Sequence, residues 1–201
     1  MSRELHDRKN ESRHLGNLGG YYIDYGGLEK SNNYCIQSID IADQINYAQV
    51  QSGSRSRLAL IYLLQTDLVD ARTIIESAIT FDVPENNHNV ATLQGIIFLR
   101  QGNVNLAIQA FTSAIIRADE ILAKTPEYYS ALDARGLALC GLAICDDKKY
   151  VADANDAFHN ARKIASYAGV VKQSLRLFDE LVKCDEEGIL KDVRNAVEGK
   201  E

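Results

Sequence analysis

The chain has no tryptophan, and only two of its 201 residues, Pro84 and Pro126, are prolines. Proline breaks helices, so its scarcity leaves long stretches free to be helical, and the Leu/Ile/Ala-rich balance favours that state. Cysteine is sparse. Cys35, Cys140, Cys145 and Cys184 form no CxxC and no Cys/His pair at zinc-finger spacing, so free thiols are expected rather than a disulfide framework or a metal site. Cys140 and Cys145 lie in an apolar run, where Cys acts as a small hydrophobe. That run, residues 137–145, is the longest unbroken apolar stretch, far short of the roughly 20 residues that span a bilayer, so no membrane insertion is expected. The N-terminus, MSRELHDRKNESRH, lacks the apolar segment of a secretory leader, and a soluble cytoplasmic protein is the expectation. Positive charge is short too. The formal net charge is -6 and the pI about 5.3, which argues against a nucleic-acid partner.

Catalytic constellations are also missing. His6, His14, His88 and His159 make no HExxH and no other pair at ligand spacing; His14 and His159 are the two expected to touch packed helices. Leu18-Gly19-Gly20 and Tyr25-Gly26-Gly27 are glycine-rich, but no Lys-Ser/Thr follows them as a phosphate-binding loop requires. They fit close helix packing and a turn. Nothing assembles a nucleophile, a base and an oxyanion site, so a non-enzyme with no cofactor and no metal is expected.

What the chain does contain is repetition. With 46% hydrophobic and 25% charged residues its balance is ordinary for one globular domain. The clearest unit is residues 91–114, ATLQGIIFLRQGNVNLAIQAFTSA. It reads as two helices joined at Gly102-Asn103, with Gly suited to the left-handed end of the first and Asn103 able to cap the second. Gly95, Ala107 and Ala114 let the helices approach, while Phe98 and Phe111 fill the space beside them. Upstream, Ala59, Tyr62, Ala71, Ile75 and Ala78 repeat the spacing, with Thr66-Asp67 in the turn, and Gly19, Tyr22, Gly26, Ser31, Cys35 and Ser38 match more weakly. Downstream, Gly136 and Leu139 open a fourth unit that Ala154, Phe158 and Ala161 close. Its small-to-small spacing is longer, so longer helices or a longer turn are expected, with the turn at Asp146-Asp147-Lys148-Lys149. Thr125-Pro126-Glu127 is read as the start of its first helix.

These units resemble the tetratricopeptide repeat, whose period is about 34 residues. Gly95, Phe98, Gly102, Ala107, Phe111 and Ala114 fall in order on the family's small, aromatic, glycine, small, aromatic and small positions. The resemblance covers roughly residues 13–168 and implies an all-α fold, a right-handed superhelical array of antiparallel helix pairs. The expected pairs are residues 13–46, 52–82, 88–122 and 126–168, with a charged tail at 1–12 and capping helices at 170–198, where Val171, Leu175, Phe178, Leu181 and Val182 recur at helical spacing.

The same resemblance implies a concave groove, lined by the first helix of each pair, that takes a peptide or helix of a partner protein. By family position the lining falls on Gly20, Ile23 and Asp24; on Ser56, Leu60, Leu63 and Leu64; on Asn89, Thr92, Ile96, Leu99 and Arg100; and on Ser130, Asp133, Leu137, Cys140 and Gly141, with Arg57 at the rim. Arg57, Leu60, Leu64, Ile96, Arg100, Asp133 and Leu137 are the candidate binding residues. Gly16 and Gly20 stand where the family's carboxylate clamp has Lys and Asn, yet Arg57 and Arg100 can still hold a carboxylate or phosphate. The alternative is that several groove leucines are core, covered by the chain's own terminal cap. A regulatory domain of a larger signalling protein and a self-associating homo-oligomer also stay open.

Overall fold

A computed structural model describes residues 2–200, and among them it holds ten helices and no strand. They divide into two compact units, Met1–Asn86 and Asn87–Glu201. Unit 1 contains α1 (Ser2–Asp24), α2 (Leu28–Gln44), α3 (Ala48–Leu64) and α4 (Leu68–Ala78). Unit 2 contains α5 (Asn87–Arg100), α6 (Val104–Leu122), α7 (Tyr129–Cys145), α8 (Tyr150–Ile164), α9 (Ala168–Val182) and the short α10 (Val193–Glu198). The architecture is tetratricopeptide-like: α1/α2, α3/α4, α5/α6 and α7/α8 are helix pairs joined by short turns, with α2 also packed on α3 and α6 on α7.

The small–large register makes those pairs. A Cβ added at Gly95 would lie 2.5 Å from the Phe111 ring, and one at Gly136 would lie 2.8 Å from the Phe158 ring. The ring of the second helix thus rests on the bare backbone of the first. Gly19 does the same for the Cys35 sulfur, at 2.5 Å. Ala59, Ala71, Ala78, Ala107, Ala114, Ala154 and Ala161 are fully buried in the matching positions, and Phe98 nearly so. Tyr22 stacks on Tyr34, with ring centroids 5.5 Å apart, and Tyr62 packs against the core of Ile23, Cys35, Leu58 and Ile61.

Turn chemistry follows the same division. Gly26 and Gly102 take φ near +77° and +75°, as a left-handed helix end requires. Thr66 occupies that conformation at φ +62° without glycine's freedom, and Asp67 then caps α4 by accepting from the Asp70 amide. Asn103 makes no such cap; its side-chain amide donates to Gln101 instead. The fourth pair absorbs its extra length in α7, which runs about one turn further past Gly136 than α5 does past Gly95. Gly141 stands in α7 where Arg100 stands in α5, and a Cβ there would fall 2.3 Å from Phe111, so one ring is held between the bare backbones of α5 and α7.

Two boundaries and one buried residue differ from the sequence reading. Residues 2–12 are not a separate tail: α1 is continuous, and Ser12 is buried, its carbonyl accepting from the Ser38 hydroxyl at 2.7 Å. α7 begins at Tyr129, not at Pro126, because Thr125 to Tyr128 form a turn of their own, closed by the Tyr128 amide on the Thr125 carbonyl. The buried histidine is His88, while His159 is exposed and bonds only to the carbonyl of Asn155 on its own helix.

Candidate functional site

The candidate groove residues fall on two faces, one per unit, and the two differ. In unit 2 the first helices α5 and α7 are covered by α9, which packs on both. Ile96 and Leu137 are 0% and 3% exposed, and Thr92, Leu99 and Cys140 are buried with them. The expected apolar groove here is therefore core. Phe178 and Leu181 of α9 are fully buried, and Phe178 meets Phe158 of α8 edge-on at 6.5 Å. Gly141, placed in the lining by its register, serves the Phe111 packing instead.

The two charged groove candidates of unit 2 are consumed by the same closure. Arg100 donates to the Glu180 carboxylate of α9, and Lys183 reaches the other oxygen of that carboxylate at 2.6 Å. Asp133 accepts from Arg162 of α8, and Arg162 also donates to Ser174 of α9 at 3.3 Å and to the Ala165 carbonyl at 3.0 Å. Glu180, Asp133, Arg162 and Ser174 are all buried. Burial pushes the Asp133 carboxyl up from its ordinary range against the opposing pull of Arg162. Buried charges need partners and remaining hydrogen bonds to be tolerated, and α9 brings two of the four polar groups. Glu180 escaped the sequence reading because the apolar spacing of Val171 to Val182 drew attention to one stripe. Glu180 lies off that stripe, two residues after Phe178, so the helical periodicity did not mark it.

Beside this network sits His88, fully buried, with its Nε2 3.3 Å from the Ser130 hydroxyl and its ring edge-on to Tyr128. Its Nδ1 has no partner, and burial lowers its pKa from 6.5 to about 4. It is held neutral.

In unit 1 the corresponding face belongs to α1 and α3. On α3, Gly53, Ser56, Arg57, Leu60 and Leu64 form one half-buried stripe. Leu60 and Leu64 lean on the core cluster, while Leu63 is fully buried. Arg57 lies flat against α1. A Cβ at Gly20 would be 3.1 Å from its Nε, and those at Gly53 and Gly16 would be 3.4 and 3.8 Å from its Nη1. Three glycines thus leave the slot in which the guanidinium lies. Among the described residues no carboxylate pairs with Arg57, whereas Arg55 beside it binds Asp43 at 2.6 Å. Burial disfavours the Arg57 charge and only the Cys35 thiol nearby opposes that shift. Asp24 is half-buried one turn beyond Gly20 on α1, and Ile23 is buried.

Among the described residues no group of three or more His, Cys, Asp or Glu could hold a metal ion, and no helix is long and apolar enough to cross a membrane. The four cysteines are free. Cys35 and Cys140 are buried, and burial pushes the half-buried Cys145 thiol up to about 11.

Against known proteins, no family model matches the chain and no curated protein matches it. Among solved structures it is similar to a MamA RS-1 double mutant at 13% identity and TM-score 0.43, covering 93% of this chain and 92% of that one. It is also similar to a tetratricopeptide repeat protein from Parabacteroides merdae at 17% identity and TM-score 0.47, covering 94% of this chain and 72% of that one.

Proposed function

We propose that the chain is a non-catalytic protein-binding module and that its binding face is the one formed by α1 and α3. One observation carries this reading: Arg57 lies in a glycine-walled slot with no acid to meet it. A half-buried guanidinium with no acidic partner can take a bound carboxylate by charge-assisted hydrogen bonds, and arginine's planar fork suits that group. The half-buried Leu60 and Leu64 supply apolar contact further along the same helix. Unit 2 illustrates the chemistry internally, since there an amphipathic helix covers the first helices and hands a carboxylate to Arg100. The partner segment is accordingly an apolar stretch bearing an Asp, a Glu or a C-terminal carboxylate.

The test is affinity capture from the native lysate with wild type, Arg57→Gln and Leu60→Asp, each checked for helicity. Both variants should recover at least about tenfold less of the wild-type partner, and wild-type capture should weaken with salt, as a charge-assisted contact does. Equal recovery by a folded Arg57→Gln variant removes Arg57 from the site.

A further inference from the structure

The outer side of α1, away from the Arg57 slot, carries a second surface. On α3 the residues Ser54, Leu58 and Ile61 are buried against α2, with the Ser54 and Ser38 hydroxyls 2.8 Å apart. On α7 the residues at the same register are Ala131, Arg135 and Ala138. The two alanines are buried, and Arg135 bonds Asp119 of α6 at 2.9 Å. In each case the second helix of the preceding pair covers that face. The matching residues of α1 are His14, Leu18 and Tyr21, and they are exposed. Leu18 is 41% exposed, Tyr21 51%, and Tyr25, one turn on, 73%. A face that the repeat register uses for helix packing is thus open, and large apolar side chains fill it. Tyr21 and Tyr25 are already ordered by stacking on each other at 4.4 Å. Aromatic rings with a polar tip at an exposed site suit an interface.

The spacing names the occupant. Asp7, Glu11, His14, Leu18, Tyr21 and Tyr25 are all exposed and follow one another by four, three, four, three and four residues. That is the two-position seam of a heptad helix. In an antiparallel pair such positions meet in layers, and this set closes on itself: Asp7 falls opposite the partner's Tyr25, Glu11 opposite the partner's Tyr21, and His14 opposite the partner's Leu18. Every acid then faces a phenol that can donate to it, and no acid faces an acid. Parallel pairing would instead stack Asp7 and Glu11 on their own copies, where like charges repel. We infer that two copies of this chain pair antiparallel through the outer face of α1. The seam is about 27 Å long at 1.5 Å per residue. It is smaller than an obligate interface, so the dimer is reversible, with a Kd on the order of 1–100 µM.

Sedimentation velocity over about 5–500 µM protein, bracketing that range, tests the pairing. Wild type should pass from monomer to dimer. Tyr21→Glu, which sets two acids in one layer, should stay monomeric with an unchanged far-UV spectrum, since Tyr21 is half exposed. Adding Glu11→Lys to it should restore the dimer by pairing Lys with the partner's Glu in that layer. Asp7→Lys with Tyr25→Glu, against Tyr25→Glu alone, repeats the swap one layer outward should Tyr21→Glu not fold. A wild type that stays monomeric throughout, a dimer that survives both single acids, or a failure of both swaps to rescue overturns the inference.

Discussion

The α5/α7 face and the α1/α3 face are built from the same kind of helix pair, yet one is sealed and the other is not. In unit 2 the arginine of the face meets Glu180 of α9, and its apolar residues have become core. In unit 1 the arginine of the face lies among glycines without an acid, and its leucines are half-buried. The difference teaches that register assigns a side chain to a face, while whatever packs on that face decides between core and site.

The contrast should break most severely in unit 2. Ile96→Asp or Leu137→Asp puts an unpaired carboxylate into a dry position and should unfold unit 2, a loss of more than about 4 kcal/mol in urea unfolding followed by circular dichroism. Were Ile96 a free groove residue, the substitution would leave the midpoint unchanged. Next in size, Glu180→Ala leaves the largely covered Arg100 without its acid and should cost about 3 kcal/mol. A cost below about 1 kcal/mol would mean that α9 does not seal the face.

Acid should act on the same unit. His88 keeps its pKa at about 4 in the fold, below the 6.5 of a free imidazole, so the unfolded chain takes up the proton first. The contribution of neutral His88 is therefore complete above about pH 6.5, declines as the pH falls towards 4, and changes no further below that. The decline amounts to up to about 3 kcal/mol. It should appear as a difference between wild type and His88→Gln across that window; parallel stability–pH curves would contradict it. The smallest effect belongs to unit 1: Arg57→Met should be neutral or stabilising by up to about 1 kcal/mol, because it removes a charge that folding leaves unpaired. A loss of 3 kcal/mol or more in the same urea titration would mark Arg57 as structural and dissolve the contrast.

The helix pairs were largely legible in the sequence, because their determinants are local. Gly26 and Gly102 end helices, and Gly95, Gly136 and Ala59 give room to the neighbouring helix wherever they fall in the repeat. The extent of α1 was not legible, since residues 2–12 are strongly charged and the Ser12–Ser38 contact that anchors them joins two helices. The closure of the α5/α7 face was hidden for a related reason. Ile96 and Leu137 look alike whether α9 or a foreign helix covers them, and the Arg100–Glu180 pair spans 80 residues of chain. Arg57 was placed on the rim by its register. That it lies unpaired in a slot depends on Gly16, Gly20 and Gly53 together, on two different helices.

The reach of that Arg100–Glu180 contact has a consequence for the protein's birth. At synthesis rates of about 5–20 residues per second, the 80 residues separating the two partners take roughly 4–16 s to be made. Throughout that interval the nascent chain carries α5 without the helix that shields it, and α7 joins it unshielded before α9 emerges. Ile96 and then Leu137 stay within reach of holdase chaperones and neighbouring nascent chains until residues 168–182 leave the ribosome and fold back. A slowly translated stretch before residue 168 would lengthen that exposure, and a fast one would shorten it.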